Sequence, residues 1–144
     1  MKNKKNKGFT LFELLVSISI IGILTALASV AFSGAQKKAR DARRVQDIKA
    51  IQTAAEQYYS QSNYVYPADR SSASWIINSQ SVLSIFPTDP KTLTTYTYTH
   101  PDGTNSTYCS CATVENTNNG NATAACVFAV PSASTTLFCV KNQQ

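Results

Sequence analysis

The chain has 144 residues, 43% of them hydrophobic, with 13 Lys or Arg against 8 Asp or Glu and a formal net charge of +5. That length allows one ordinary domain plus a membrane helix. A single histidine and the lack of an HExxH pair, a phosphate loop or a nucleophile elbow leave the common hydrolase and nucleotide-hydrolysing classes without their machinery.

The basic balance is local. Lys2, Lys4, Lys5 and Lys7 precede the first apolar residue, and without residues 1–8 the charge falls to +1. From Phe9 to Phe32 there is no Lys, Arg, Asp or Pro, and about 20 such residues span the roughly 30 Å hydrocarbon core of a bilayer. A secretory signal has an apolar core of only about 7 to 15 residues, so this stretch reads as a retained membrane segment. Lysines before it and a long domain after it place the N-terminus in the cytoplasm. Glu13 is the exception within it, because an ionised carboxylate facing lipid costs on the order of 2 to 3 kcal/mol or more and marks a specific partner. Thr10 and Glu13 also have capping-box spacing, which gives the carboxylate a local use at the helix start.

The run Lys7-Gly8-Phe9-Thr10-Leu11-Phe12-Glu13-Leu14-Leu15-Val16, followed by Ile20-Ile21-Gly22-Ile23-Leu24, resembles the class III signal of type IV pilins and of the pseudopilins of type II secretion. The resemblance implies cleavage by a prepilin peptidase between Gly8 and Phe9 and N-methylation of the new terminus on Phe9. It further implies a single-pass protein of the inner membrane that packs with copies of itself into a pilus or pseudopilus. A cytoplasmic assembly ATPase and a membrane platform would supply the energy. Phe9 and Glu13 are then the assembly residues. Within one chain the Phe9 amine lies about 6 Å along the axis from Glu13, so a staggered neighbour supplies the closer cation, and that pair sets register more than net stability. The alternative reading is a single-span anchored extracellular binding module that does not polymerise.

Beyond the membrane segment, KKARDARR (residues 37–44) reads as a solvated helix surface. Lys37 to Asp41 and Arg43 to Asp47 have supporting i,i+4 spacing, and the cations stand where lipid headgroups are within reach. Without interleaved aromatics the run is poor support for nucleic-acid contact. Val45, Ile48, Ile51, Ala55, Tyr58 and Tyr59 recur at steps of three or four, the apolar face of an amphipathic helix. One helix is therefore predicted from Phe9 to about Ser62, stopped by NYVYP (residues 63–67), since the residue before proline leaves the α region. The segments are a leader over 1–8, a transmembrane or filament-core helix over 9–32, its amphipathic continuation over 33–62, and a loop with a C-terminal sheet over 63–144.

Residues 71–86 form a connection in which Trp75, Ile76, Ile77, Val82, Leu83 and Ile85 anchor a short helix on the core, with Trp75 read as packing. From Leu93 the composition turns to Thr, Tyr and Val, which suit a half-buried pleated surface. LTTYTYTH, TYCSCATVE, AACVFAV and TTLFCV predict three to four antiparallel strands, with turns at Asp102-Gly103, Asn119-Gly120 and Pro131. The fold class is α+β: a long helix packed on a small antiparallel sheet, a pilin-like ladle. IQTAAEQYYSQSNYVYP, Thr88-Asp89-Pro90 and TYCSCATVENTNNGNA add to the family resemblance.

Cys109, Cys111, Cys126 and Cys139 all lie in the sheet, and an even count outside the cytoplasm favours disulfides. Cys109 and Cys111 share one face of a strand and are poorly placed to bond each other. Cys126 and Cys139 are symmetric about Ser132-Ala133, so a hairpin bridge between them stands beside two crossed bridges from Cys109 and Cys111. Zinc is the rival for four thiols. No cofactor is expected. Asp89, Asp102 and Glu115 offer oxygens for calcium without an EF-hand pattern. His100 reads as a surface turn residue, and the sequons at Asn105 and Asn121 as chance matches.

Overall fold

The computed structural model describes residues 8–68, 74–128 and 135–144. The leader lysines and the turn at Pro131 and Ser132-Ala133 lie outside the described residues, as does the start of the 71–86 connection. One helix, α1 (Leu11–Gln61), is followed by β1 (Trp75–Ile77), β2 (Gln80–Leu83), β3 (Thr97–Thr99), β4 (Cys109–Thr113), β5 (Ala122–Ala124), β6 (Val127–Phe128) and β7 (Leu137–Lys141). The chain divides into two compact units between Gln36 and Lys37.

The first unit is the apolar part of α1, long and apolar enough to cross a membrane. Its hydroxyls turn back on their own backbone: Ser17, Ser19, Thr25 and Ser29 each donate to the carbonyl four residues earlier, at 2.7 to 2.8 Å. A helix in lipid needs this, because no water is there to satisfy a free donor.

The second unit holds the rest of α1 and all the strands. Ile48, Ile51, Ala54 and Ala55 are buried and pack with Tyr96, Tyr98, Tyr108, Ala112 and Val140, while Tyr58 and Tyr59 flank them. Each fully buried isoleucine contributes about 1.5 to 3 kcal/mol. The helix ends in a Schellman turn. Asn63 takes φ 54°, the Tyr64 amide donates to the Tyr59 carbonyl at 3.2 Å, and the two tyrosine rings meet edge to face at 5.5 Å.

The strands form two antiparallel sheets, β1-β2 and the five-stranded β3-β4-β7-β5-β6, so the α+β class holds with more strands than expected. The short helix expected between 71 and 86 is a β-hairpin instead. Asn78 and Ser79 both have positive φ, 49° and 63°, the requirement of a two-residue type I′ turn, and the β-branched and aromatic residues flanking them favour strands. Trp75 is packing, as expected: it meets Tyr98 at 5.1 Å and Phe86 at 5.7 Å between ring centres. AACVFAV is also divided, because Ala125 and Cys126 turn the chain between β5 and β6.

β4 and β7 separate two cores by strict alternation. Tyr108, Ala112 and Val140 belong to the cluster with the helix, whereas Cys109, Cys111 and Cys139 form a second cluster with Ala122. Successive side chains on a strand point to opposite faces. Gly120 enters this second layer so closely that a Cβ there would lie 2.5 Å from the Thr135 carbonyl oxygen and 2.7 Å from that of Leu137.

Candidate functional site

At the start of α1 the capping box is formed. The Thr10 amide and hydroxyl donate to Glu13 Oε2 at 2.9 and 2.8 Å, and the Glu13 amide returns a bond to Thr10 Oγ1 at 3.2 Å. Among the described residues Glu13 Oε1 has no partner and no cation pairs with this carboxylate. Around it the helix is bare: Phe9 is 87% exposed, and Val16, the most covered of the large apolar residues from there to Phe32, is still 38% exposed. A surface of that apolarity and extent on a single chain is an interaction surface.

The second concentration of chemistry lies in the other unit. Arg44 places Nε 2.5 Å and Nη2 3.2 Å from the two oxygens of Asp89. Its Nη1 donates to Asp41 Oδ1 at 2.8 Å and to Glu115 Oε1 at 3.0 Å. Arg40 grips Glu115 in the same forked manner, at 2.6 and 2.8 Å, and Lys91 Nζ lies 3.7 Å from Glu115. Asp41 also accepts the backbone amides of Glu115 and Asn116, both at 2.9 Å. Three carboxylates thus meet two guanidiniums and one ammonium. Asp41 is fully buried and Arg44 nearly so, a cost that is recovered only because every charge is paired and hydrogen-bonded.

The electrostatics follow from the pairing. Arg44 holds the Asp89 carboxyl well below its ordinary range against the opposing effect of burial, and the Thr92 and Lys91 amides help. Arg40, opposed by desolvation and aided by Arg44, brings Glu115 down to about 2. Burial pushes Asp41 up, but the Glu115 and Asn116 amides together with Arg44 outweigh it and leave it lowered. This network overturns the solvated reading of residues 37–44 at Arg40, Asp41 and Arg44, whereas Lys37, Lys38 and Arg43 are exposed. Asp41 pairs with Arg44 rather than Lys37, and Asp47 accepts from the Tyr96 hydroxyl at 2.9 Å. The signal was present in the spacing: 41, 44, 48, 51 and 55 continue one stripe at steps of three and four, and its first two members are charged.

A family model described as the prokaryotic N-terminal methylation motif matches residues 3–29. The chain is 37% identical over 59 residues to the type IV major pilin protein PilA of Myxococcus xanthus, covering 41% of this chain and 27% of that protein. With the type II secretion system core protein G of Aeromonas hydrophila it shares 33% over 78 residues, 54% of each. It is 34% identical over 71 residues to the type IV major pilin protein PilE of Neisseria gonorrhoeae, 49% of this chain and 42% of that protein. Over the matched stretches the chain is similar to type IV pilins and to type II secretion core protein G. It spans about half or less of the length of these relatives, and no solved structure matches it.

In this pilin-like chain the four cysteines form two bridges, Cys109–Cys126 and Cys111–Cys139. These are crossed bridges of the kind the sequence left open beside the hairpin pair. Cys139 stands opposite Cys111 across the β4–β7 ladder, while Cys126 sits in the β5–β6 turn, away from β7. All four sulfurs are engaged in these bridges. Of the three oxygen donors considered for calcium, Asp89 and Glu115 meet at the Arg44 guanidinium, and Asp102 ties its own loop by accepting the Thr104 and Ser106 hydroxyls at 2.7 and 2.6 Å.

His100 is a half-buried tie rather than a plain surface residue, its ring nitrogens 2.5 Å from the Thr107 carbonyl and 2.9 Å from that of Pro67. Asn121 likewise has a structural use: its side-chain amide exchanges two bonds with the Cys139 backbone at 2.8 and 2.7 Å, extending the ladder. Glu56 was missed altogether. Its carboxylate accepts from the Tyr66 hydroxyl at 3.1 Å, from the Tyr108 hydroxyl at 3.4 Å and from the Gln143 amide at 3.1 Å.

Proposed function

We propose that this chain is a structural, non-catalytic subunit of a type IV pilus or type II secretion pseudopilus. A prepilin peptidase cuts between Gly8 and Phe9, the new amino terminus on Phe9 is methylated, and copies of the chain stack into a helical filament. The observation that carries the reading is the N-terminal part of the helix: about two dozen residues of exposed apolar surface, interrupted by one carboxylate whose second oxygen has no partner among the described residues. In a bundle of such helices Glu13 accepts the Phe9 amine of a neighbour while its own Thr10 cap stays in place. The contact is heterologous, so it propagates into an open filament. Before assembly the same segment anchors the chain in the inner membrane with the second unit outside. An assembly ATPase and a membrane platform are the partners this reading requires, since nothing in the chain hydrolyses a nucleotide.

The test is intact mass and N-terminal sequencing of the protein from membranes and from sheared surface material. The expected product begins at methylated Phe9 and is four hydrogens lighter than its all-thiol form, as two bridges require. A chain that still begins at Met1 in cells with active peptidase, or that never leaves the membrane fraction, overturns the filament and leaves an anchored module.

A further inference from the structure

The ion-pair network changes the charge of the helix segment just beyond the apolar stretch. In sequence, residues 37–47 hold five cations and two carboxylates. In the structure Arg40 and Arg44 are consumed by Glu115, Asp89 and Asp41, Asp41 is fully buried, and Asp47 is engaged by Tyr96. What remains at the surface is Lys37, Lys38 and Arg43, all exposed and without an ion pair among the described residues. At about 100° per residue, Lys38 and Arg43 stand roughly 100° and 240° around the helix from Lys37, so the three cations encircle it. They span about 9 Å along the axis, close to the roughly 5 to 8 Å of headgroup layer on each side of a bilayer. They begin five residues after Phe32, within snorkelling reach for a lysine.

We propose that Lys37, Lys38 and Arg43 form a collar that binds the phosphate headgroups of anionic phospholipid at the outer boundary of the membrane. This rests on the membrane-anchored reading above. The collar gives the unassembled subunit a lipid preference that the buried Asp41 would otherwise cancel. Headgroup binding fixes the depth at which the helix waits before it is extracted.

The test uses the full chain carried in mixed micelles with equimolar phosphatidylglycerol and phosphatidylcholine, with retained lipid read by native mass spectrometry. The wild type is expected to retain phosphatidylglycerol preferentially. Each cation changed to glutamine should lower that preference about fivefold at low salt, until K37Q/K38Q/R43Q shows none. K49Q/K141Q, which removes two exposed cations off the collar, should leave it unchanged. Both disulfides by mass and the near-ultraviolet signal of Trp75 report folding, and K37Q/K38Q serves if the triple variant fails. Equal retention of the two lipids by the wild type, a preference that survives the triple variant, or displacement of the lipid by a short DNA duplex overturns the collar. Alkaline extraction separates the premises: a chain that inserts in vesicles but shows no headgroup preference sinks the collar alone, and one that does not insert sinks the anchored reading with it.

Discussion

Glu13 and Asp41 are two carboxylates of the same helix in opposite circumstances. Asp41 has lost all its solvent and has in exchange one guanidinium and two backbone amides, every one supplied by its own chain. Glu13 is surrounded by exposed leucine, isoleucine and phenylalanine and has, among the described residues, only Thr10 as a partner. Burial of a charge is tolerable only when its partners arrive with it. One unit of the molecule therefore completes its chemistry by folding, and the other, among the described residues, leaves its carboxylate without a cation.

The largest expected effect breaks the second half of that comparison. Glu13→Ala should abolish surface filaments, scored as protein in the sheared fraction, while the amount in membranes stays normal and the melting temperature of the sheet unit is unmoved. Glu13→Gln sharpens it: the amide keeps an oxygen for Thr10 but offers no charge, so filaments formed by this variant would mean that the cap alone is needed.

Asp41 is broken through its partner. Arg44→Ala leaves the carboxylates of Asp41 and Asp89 without their guanidinium and should destabilise the sheet unit by about 3 to 5 kcal/mol, read by thermal unfolding of the full chain in micelles. The same network sets the acid limit. Glu115 is held at about 2 and Asp41 and Asp89 are also lowered, so the unfolded chain binds protons before the native one does. Stability should be level from pH 7 to 5 and fall from roughly pH 4.5 towards 2. In Arg44→Ala that slope should flatten, and an unchanged slope would place the acid sensitivity elsewhere.

Smaller effects test the two cores of the sheet. Gly120→Ala puts a methyl against two carbonyl oxygens and should cost about 1 to 3 kcal/mol without loss of either disulfide, checked by unfolding and by mass. The tyrosines make the finest contrast. Tyr66 donates to Glu56, so Tyr66→Phe should cost about 1 kcal/mol, whereas the buried Tyr98 hydroxyl has no partner among the described residues and Tyr98→Phe should be neutral or stabilising.

Much of this architecture was legible along the chain. The unbroken apolar stretch, the Thr10–Glu13 spacing, the stripe from Ile48 to Tyr59 and the alternation of Tyr96 and Tyr98 with threonines all depend on neighbours within a turn or on one strand, where period is enough. The 71–86 hairpin was misread because its strands are short and its turn is Asn-Ser rather than the stronger Asn-Gly signal. The charges of 37–44 were misread for another reason. Their long-range partners, Asp89 and Glu115, come from loops far along the chain; the stripe spacing marks the buried face, but no local pattern records which loop will fold back onto it.

By itself, then, the sequence determined the elements whose cause is local. These are a membrane-length helix with one carboxylate, its amphipathic continuation, a Thr- and Tyr-rich sheet, and a processing motif whose order is written in consecutive residues. Only the tertiary structure decided the rest: which cysteines bridge, which of the cations in 37–44 are spent inside and which remain outside, and that Asp41 gains a guanidinium while Glu13, among the described residues, gains no cation. Each of these depends on the approach of groups distant in sequence, and long-range approach is set by how the whole sheet packs on the helix.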